Sequence, residues 1–223
     1  MNFINHLYER FGLNAYALGK YDRAISWFRR LEAAEGGSSR VLRNLGVAFL
    51  AAGDTTEAER YLLREEELYG ETCQRHRALA DLYYCAGKRE DALNRYAAAI
   101  DAEDAKSLRG EERDFLHGRK AICADALRFE SSVEASRLFA KGEIARDGGR
   151  TDEALDLFLK SSELDATSWP SFNNAGVLML SSGNAERALD LFSRAYACAP
   201  LPTIKNNVEV ARAAARATAP AKA

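Results

Sequence analysis

The sequence predicts an all-α solenoid of stacked helical hairpins. The first observation is a 34-residue period: Ala24, Ala58 and Ala92 are 34 residues apart, and so are Ala154 and Ala188. The second is that three further positions travel with each of these alanines. A glycine lies five residues before (Gly19, Gly53, Gly87, Gly149, Gly183). A small residue lies twelve before (Gly12, Gly46, Ala80, Gly142, Gly176), and a large apolar residue lies four after (Phe28, Leu62, Tyr96, Phe158, Phe192). The third is that only four prolines occur, three of them after Pro170, which leaves long stretches free for helices.

Each position has a physical role in a hairpin. The middle glycine follows one helix-periodic run and precedes another, so it suits the left-handed residue that ends a helix. Asp54, Thr151 and Asn184 follow as polar N-cap candidates for the second helix. The small residue before the turn and the alanine after it are expected to face each other and let the helices approach, with the large side chain beside them. One hairpin cannot bury its apolar face alone and must stack on neighbours.

In chain order, three units occupy Asn5–Ser38, Ser39–Thr72 and Cys73–Lys106, and two more occupy Ala135–Ser168 and Trp169–Pro202. Between the blocks, Ser107–Glu134 is 28 residues long, six short of a repeat. Phe115, Leu116, Ile122, Leu127 and Phe129 give it a blurred helical pattern. It reads as a single long helix, which is preferred, or as a degenerate repeat with a truncated second helix. The run "TIKNNVEVARAAARA" after Pro202 reads as a capping helix, with Arg212 and Arg216 on its polar outer face. The expected domains are 1–106, an irregular helical segment 107–134, 135–216, and a flexible tail 217–223.

This combination of small residue, glycine, alanine and large apolar residue at fixed spacing resembles the tetratricopeptide repeat (TPR) family over about three quarters of the chain. The repeat ends depart from the family pattern. Pro200 stands where the family often carries proline, but Gly36, Gly70, Asp104 and Ala166 occupy the other such places, which suggests looser turns. The resemblance implies a right-handed superhelix whose first helices line a concave groove that holds an extended peptide or a partner helix.

Composition narrows the function classes. The chain has 223 residues, 47% hydrophobic and 29% charged, with a formal net charge of −2, so no global field draws it to nucleic acid or membrane. No apolar run approaches the roughly 18 residues a membrane span needs. The N-terminal "MNFINHLYERFG" lacks the pattern of a signal peptide. Cys73, Cys85, Cys123 and Cys198 form no C-x-x-C pair and read as reduced thiols of a cytoplasmic protein. His6, His76 and His117 lie in no metal motif and read as groove or surface residues. "REEELYG" reads as a solvated helix face, "EGGSS" as a joint between repeats and "DGGR" as a hairpin turn. No catalytic residue, cofactor or metal is expected.

The expectation is a non-enzymatic protein–protein interaction module, a scaffold, assembly factor or chaperone-like adaptor. The alternatives are a scaffold that self-associates into homo-oligomers through its terminal repeats, or an accessory regulator of an enzyme. The resemblance places Arg10, Arg40, Arg43, Asn44, Arg77, Asp81 and Tyr84 of the first block on the inward side of the first helices, with Val47. In the second block it places Asn173 and Asn174 there with Val177 and Leu180, and Asn207 in the last helix. Guanidinium groups can clamp a carboxylate bidentately, so the arginines suggest an acidic peptide or a free C-terminal carboxylate, unless they pair within the array. The family's chaperone-binding modules hold such a carboxylate with a Lys, Asn and Arg set that only Asn44 and Arg77 approximate; Glu9 and Leu13 stand at two of its places. An asparagine amide both donates and accepts, so Asn44 and Asn174 suit the backbone of an extended peptide, unless they bond to a neighbouring helix. Ala78 and Ala140 interrupt that row.

Overall fold

A computed structural model describes residues 3–218, and its described residues form twelve α-helices, one short 3-10 helix and no strand. The chain divides into two compact units, Met1–Ala126 and Leu127–Ala223.

In the first unit, α1 (Phe3–Ala17) pairs with α2 (Tyr21–Glu35), α3 (Ser39–Ala51) with α4 (Thr55–Tyr69), and α5 (Cys73–Cys85) with α6 (Arg89–Asp101). Successive hairpins stack through α2 on α3 and α4 on α5. A 3-10 helix (Glu103–Ser107) follows, and α7 (Gly110–Ala124) packs on α6. The second unit holds α8 (Ala126–Asp147, whose first residue falls in the first unit), α9 (Thr151–Leu164), α10 (Trp169–Ser181), α11 (Ala185–Cys198) and α12 (Pro202–Thr218). Within it α10 packs on α9, α11 on α10 and α12 on α11.

The turn glycines behave as the spacing requires. Gly19, Gly53, Gly87, Gly149 and Gly183 have φ between +69° and +86°, a region that costs an L side chain about 1–2 kcal/mol. Gly36 and Gly70 share it, at +82° and +77°. These two end α2 and α4, so glycine serves there as a defined helix terminator rather than as a loose substitute for proline. The Asp54 carboxylate accepts from the Glu57 N–H at 3.0 Å, and the Asn184 side chain accepts from the Arg187 N–H at 3.2 Å. Thr151 is not a cap. Arg150 holds that position, and Thr151 is the first residue of α9.

The core shows why the small residue is needed. A Cβ at Gly12, Gly142 or Gly176 would lie 2.4, 2.7 and 2.7 Å from the rings of Phe28, Phe158 and Phe192, and one at Gly46 would lie 2.7 Å from Leu62. The small residue of the first helix therefore faces the large residue of the second, not chiefly the alanine. The alanines pack in their own right: Ala24, Ala58, Ala92, Ala154 and Ala188 are wholly buried. Burying each large side chain contributes roughly 1.5–3 kcal/mol, and the missing Cβ makes room for it.

Ser107–Glu134 is not one long helix. α7 ends at Ala124, Asp125 is extended (φ −106°, ψ 115°), and α8 starts at Ala126. α7 is a single helix added to the third hairpin, and α8 runs 22 residues to Asp147, into the stretch that carries Gly142. α12 buries Ile204, Val208 and Ala211 and exposes Arg212 and Arg216, as a capping helix should. Val210 stands 34 residues after Gly176, where a ring-accepting hairpin needs a small residue, and it is exposed. In the tail expected at 217–223, Ala217 and Thr218 belong to α12, and residues 219–223 lie outside the described residues.

Two substitutions of the same kind should act in opposite directions. Gly176→Ala should lower stability by about 1–3 kcal/mol through overpacking against Phe192. Gly118→Ala, in the interior of α7 with nothing within 4 Å of the added Cβ, should raise it by about 0.5–1 kcal/mol. Urea denaturation followed by circular dichroism measures both.

Candidate functional site

The first-unit residues expected to meet a ligand divide by what already touches them. Arg10 is exposed, and no carboxylate lies within ion-pair distance of it among the described residues. Arg40 of α3 pairs with Glu9 of α1 and with Glu35 of α2, the latter at 2.7 Å. The Arg43 guanidinium donates to both Glu65 oxygens, at 3.3 Å from Nε and 2.6 Å from Nη2, and also to Gln74. The Arg77 Nε lies 3.7 Å from Asp81, and its guanidinium stacks 4.6 Å from the Phe115 ring centroid.

Glu65 is the residue that sequence reading missed. It belongs to "REEELYG", read as solvated, yet it is 0% exposed. Its Oε1 accepts from Arg43, from the Arg75 Nε at 3.1 Å and from the Ser39 hydroxyl at 2.7 Å. Arg75 also donates to the Tyr69 and Gly70 carbonyls at 2.8 Å, capping the end of α4. A signal was present in the spacing. Ala58, Tyr61, Leu62 and Glu65 follow i, i+3, i+4, i+7, which puts the carboxylate on the buried stripe of α4.

Asp81 and Tyr84 also have partners within the array. The Tyr96 hydroxyl donates to Asp81 at 2.5 Å. Arg119 of α7 stacks over the Tyr84 ring at 4.2 Å from its centroid, and Tyr84 is buried. α7 therefore lays Phe115 and Arg119 on the part of α5 where a groove was expected. Burial pushes the Asp81 carboxyl up, against the Tyr96 hydrogen bond and the charges of Arg77 and Arg119, which pull it down. Burial, then the Asp81 charge, pushes the Tyr96 hydroxyl up as well.

His76 is also buried, contrary to the groove-or-surface expectation, whereas His6 and His117 are exposed. Its ring nitrogens and the Glu66 and Glu71 carboxylates could share a cation. Arg95 already supplies the positive charge, donating to Glu66 at 2.7 Å and lying 3.1 Å from the His76 Nδ1. The four cysteines are free thiols. Burial pushes all of them up, Cys123 to about 11, which disfavours the nucleophilic thiolate.

The asparagines differ from the arginines. Asn44 is half-buried, and its amide has no hydrogen-bond partner among the described residues. In the second unit, the Asn207 amide of α12 donates to the Asn173 oxygen of α10 at 2.9 Å, and Asn173 reaches Asn174 at 3.5 Å. The three amides run side by side across two neighbouring helices, bonded to one another and to no backbone group among the described residues. Val177, which is exposed, and Leu180, half-buried, lie one and two turns along from them on α10. An amide carries two donors and two lone pairs, so most of this capacity is unspent.

The internal ion pairs make two outcomes testable by denaturation. Arg75→Val alone should cost about 2–3 kcal/mol, because it removes charged hydrogen bonds from a buried carboxylate. The double variant Glu65→Leu/Arg75→Val should recover part of that loss, because the buried carboxylate is gone, but not all of it, because Arg43 and Ser39 also lose Glu65. For Asp81, a carboxyl raised on folding holds its proton to higher pH in the folded state. Stability therefore falls as pH rises from the ordinary carboxylate range, near 4, through the raised value. Asp81→Asn keeps an acceptor for Tyr96 and should abolish that decline in a series of melts across pH.

The tetratricopeptide repeat family matches residues 10–70. No curated protein matches the chain. Among solved structures it is similar to YrrB, described as a TPR protein with an unusual peptide-binding site, at 16% identity and a TM-score of 0.43, covering 91% of this chain and 90% of that one. It is similar to MamA of Desulfovibrio magneticus RS-1, from residue 41 to the end, at 14% identity and a TM-score of 0.44, covering 89% and 96%. It is also similar to the TPR2AB domain of yeast Sti1 in complex with pHSP90, at 12% identity and a TM-score of 0.46, covering 96% and 84%. At these identities the likeness is one of fold alone. The family match covers the first two hairpins, and the packing of a glycine against a large side chain seen there at Gly12 and Gly46 recurs outside it at Gly142 and Gly176.

Proposed function

We propose that the chain is a protein-interaction module that holds an extended segment of a partner protein by its backbone, with the asparagine ladder of the second unit as the principal contact. The observation that supports this reading is the set of unspent amides at Asn173, Asn174 and Asn207. A half-buried amide without a backbone partner contributes little to folding, and short polar side chains are poor helix formers. An extended peptide presents an N–H and a C=O at every residue, and a row of amides can pair with both irrespective of side chain. Val177 and Leu180 would add apolar contact for alternate side chains of the bound strand. Asn44 offers the same chemistry at the equivalent position of the first unit, 130 residues earlier.

The arginines do not favour an acidic ligand or a C-terminal carboxylate. Arg40, Arg43 and Arg77 already face Glu9, Glu35, Glu65 and Asp81, and a ligand carboxylate would have to displace them. Arg10 alone of the four lacks such a partner. The supported role is a scaffold or adaptor whose specificity lies in shape and apolar contacts beside the amides.

A random peptide library selected on the purified chain tests the reading. Selected peptides should bind Asn174→Ala and Asn207→Ala at least about tenfold more weakly, equivalent to about 1.4 kcal/mol, with melting temperatures close to the parent's. Unchanged affinity in both variants, or a large loss of stability with binding intact, would refute it.

A further inference from the structure

We propose that the cleft between the start of α5 and the end of α6 is a docking site for a cationic residue, arginine best of all, in a segment of a partner protein. The repeat register shows how the cleft arises. α4 runs from Thr55 to Tyr69, but α6, which starts 34 residues later at Arg89, stops at Asp101, two residues short of the equivalent end. At the first joint Leu42 is wholly buried, and the Tyr69 hydroxyl donates to the Gly37 carbonyl at 3.0 Å, tying the end of α4 to the loop before α3. The residues 34 positions after Leu42, Tyr69 and Gly37 are His76, Glu103 and Glu71. An apolar side chain and a tyrosine tie are thus replaced by an imidazole and two carboxylates. A cleft of about 660 Å³ stands open there, with Glu71, His76, Asp101, Ala102, Glu103 and Asp104 in its walls.

Charge and hydrogen bonding together specify the occupant. Among the described residues, no lysine or arginine lines the cleft. Glu71, Asp101 and Glu103 are exposed, and none of them pairs with a lysine or arginine among the described residues. Asp104 spends one oxygen on the Cys73 N–H, at 2.8 Å. The C-terminal end of α6 adds the negative pole of its dipole. A cleft walled by one sign of charge concentrates the opposite charge. His76 sets a second requirement. It is only 6% exposed, and the Arg95 Nη1 lies 3.1 Å from its Nδ1. A guanidinium only donates, so Nδ1 accepts and the ring proton sits on Nε2. Nε2 has no acceptor within hydrogen-bond distance among the described residues; the Glu71 carboxylate stands at 3.7 Å. A nearly buried donor without an acceptor is costly. A metal ion would need a lone pair at Nε2, where the proton is. An arginine residue meets both requirements: its backbone carbonyl can accept from Nε2, and its planar guanidinium carries five donors for the carboxylates. The asparagines take no part, so this site stands or falls apart from the peptide-backbone reading of the second unit.

The test titrates the isotope-labelled full chain with N-acetyl-arginine amide, followed by NMR at about 20 mM salt, where exposed charges are little screened. The His76 ring signals and the Glu71 and Glu103 amides should shift together and saturate by about 20 mM probe. The citrulline analogue, of the same shape without the charge, should leave them in place. Glu71 and Glu103 are exposed, so Glu71→Gln/Glu103→Gln should keep the parent's circular dichroism and melting temperature. It should weaken binding about fivefold, whereas Asp190→Asn, at an exposed carboxylate of α11, should not. No saturable shift, equal shifts with citrulline, shifts spread over the acidic residues of the whole surface, or undiminished binding by Glu71→Gln/Glu103→Gln would each overturn the proposal.

Discussion

Everything in this fold depends on the close approach of the two helices in each hairpin. Four of the five hairpins achieve it by the same contact, a glycine in the first helix that accepts Phe28, Leu62, Phe158 or Phe192 from the second. The third places Ala80 opposite the Tyr96 position, and its Tyr96 hydroxyl reaches Asp81. The approach is possible only because the chain reverses in a short turn, and the turn ends on a glycine with positive φ. Glycine is thus needed twice per hairpin for unrelated reasons, once to leave space and once to allow a backbone angle. The 34-residue period is the distance over which both needs recur.

Stacking between hairpins follows a second rule with more chemical freedom. One pair of equivalent positions, on a second helix and on the following first helix, can be compared at three joints. It is Leu31 and Val41 at the first joint, Glu65 and Arg75 at the second, and Ser161 and Ser171 in the second unit. Leu31, Val41, Glu65, Ser161 and Ser171 are all fully buried. The apolar joint gains from burial alone. The charged joint must satisfy a buried carboxylate, and Arg43, Arg75 and Ser39 do so together. In the serine joint, Ser161 and Ser171 lie 2.7 Å apart, with the Ala135 carbonyl as a further acceptor. A buried polar pair is tolerated only with its full set of partners, which explains why Arg43 is drawn into the array.

The same accounting separates structural from available polar groups. Arg40, Arg43, Arg77 and Asp81 have their opposite charges supplied by neighbouring turns and helices. Asn44, Asn173, Asn174 and Asn207 have no backbone partner among the described residues. α7 sharpens the contrast by covering Tyr84 with Arg119 and Arg77 with Phe115. The face left with unspent hydrogen-bonding capacity is the asparagine face of α10 and α12.

The sequence by itself determined the hairpins, their period, the turn glycines and the buried alanines and rings. Each is a local requirement of sterics or of helix spacing, and each repeats, so five copies reinforce one another. It also held the burial of Glu65 in the stripe Ala58, Tyr61, Leu62, Glu65, though a run of charges hid it. Only the tertiary structure decided three things. It broke Ser107–Glu134 at Asp125, where blurred periodicity gave no boundary. It placed α7 over α5. It committed the arginines and left the asparagines. The Arg43–Glu65 and Arg40–Glu9 pairs join different helices far apart in sequence, and no spacing rule within one helix contains such a distance, whereas Arg77 and Asp81 are an i,i+4 pair of α5. An arginine looks the same in sequence whether its partner is a ligand or Glu65; the packed neighbour makes the difference.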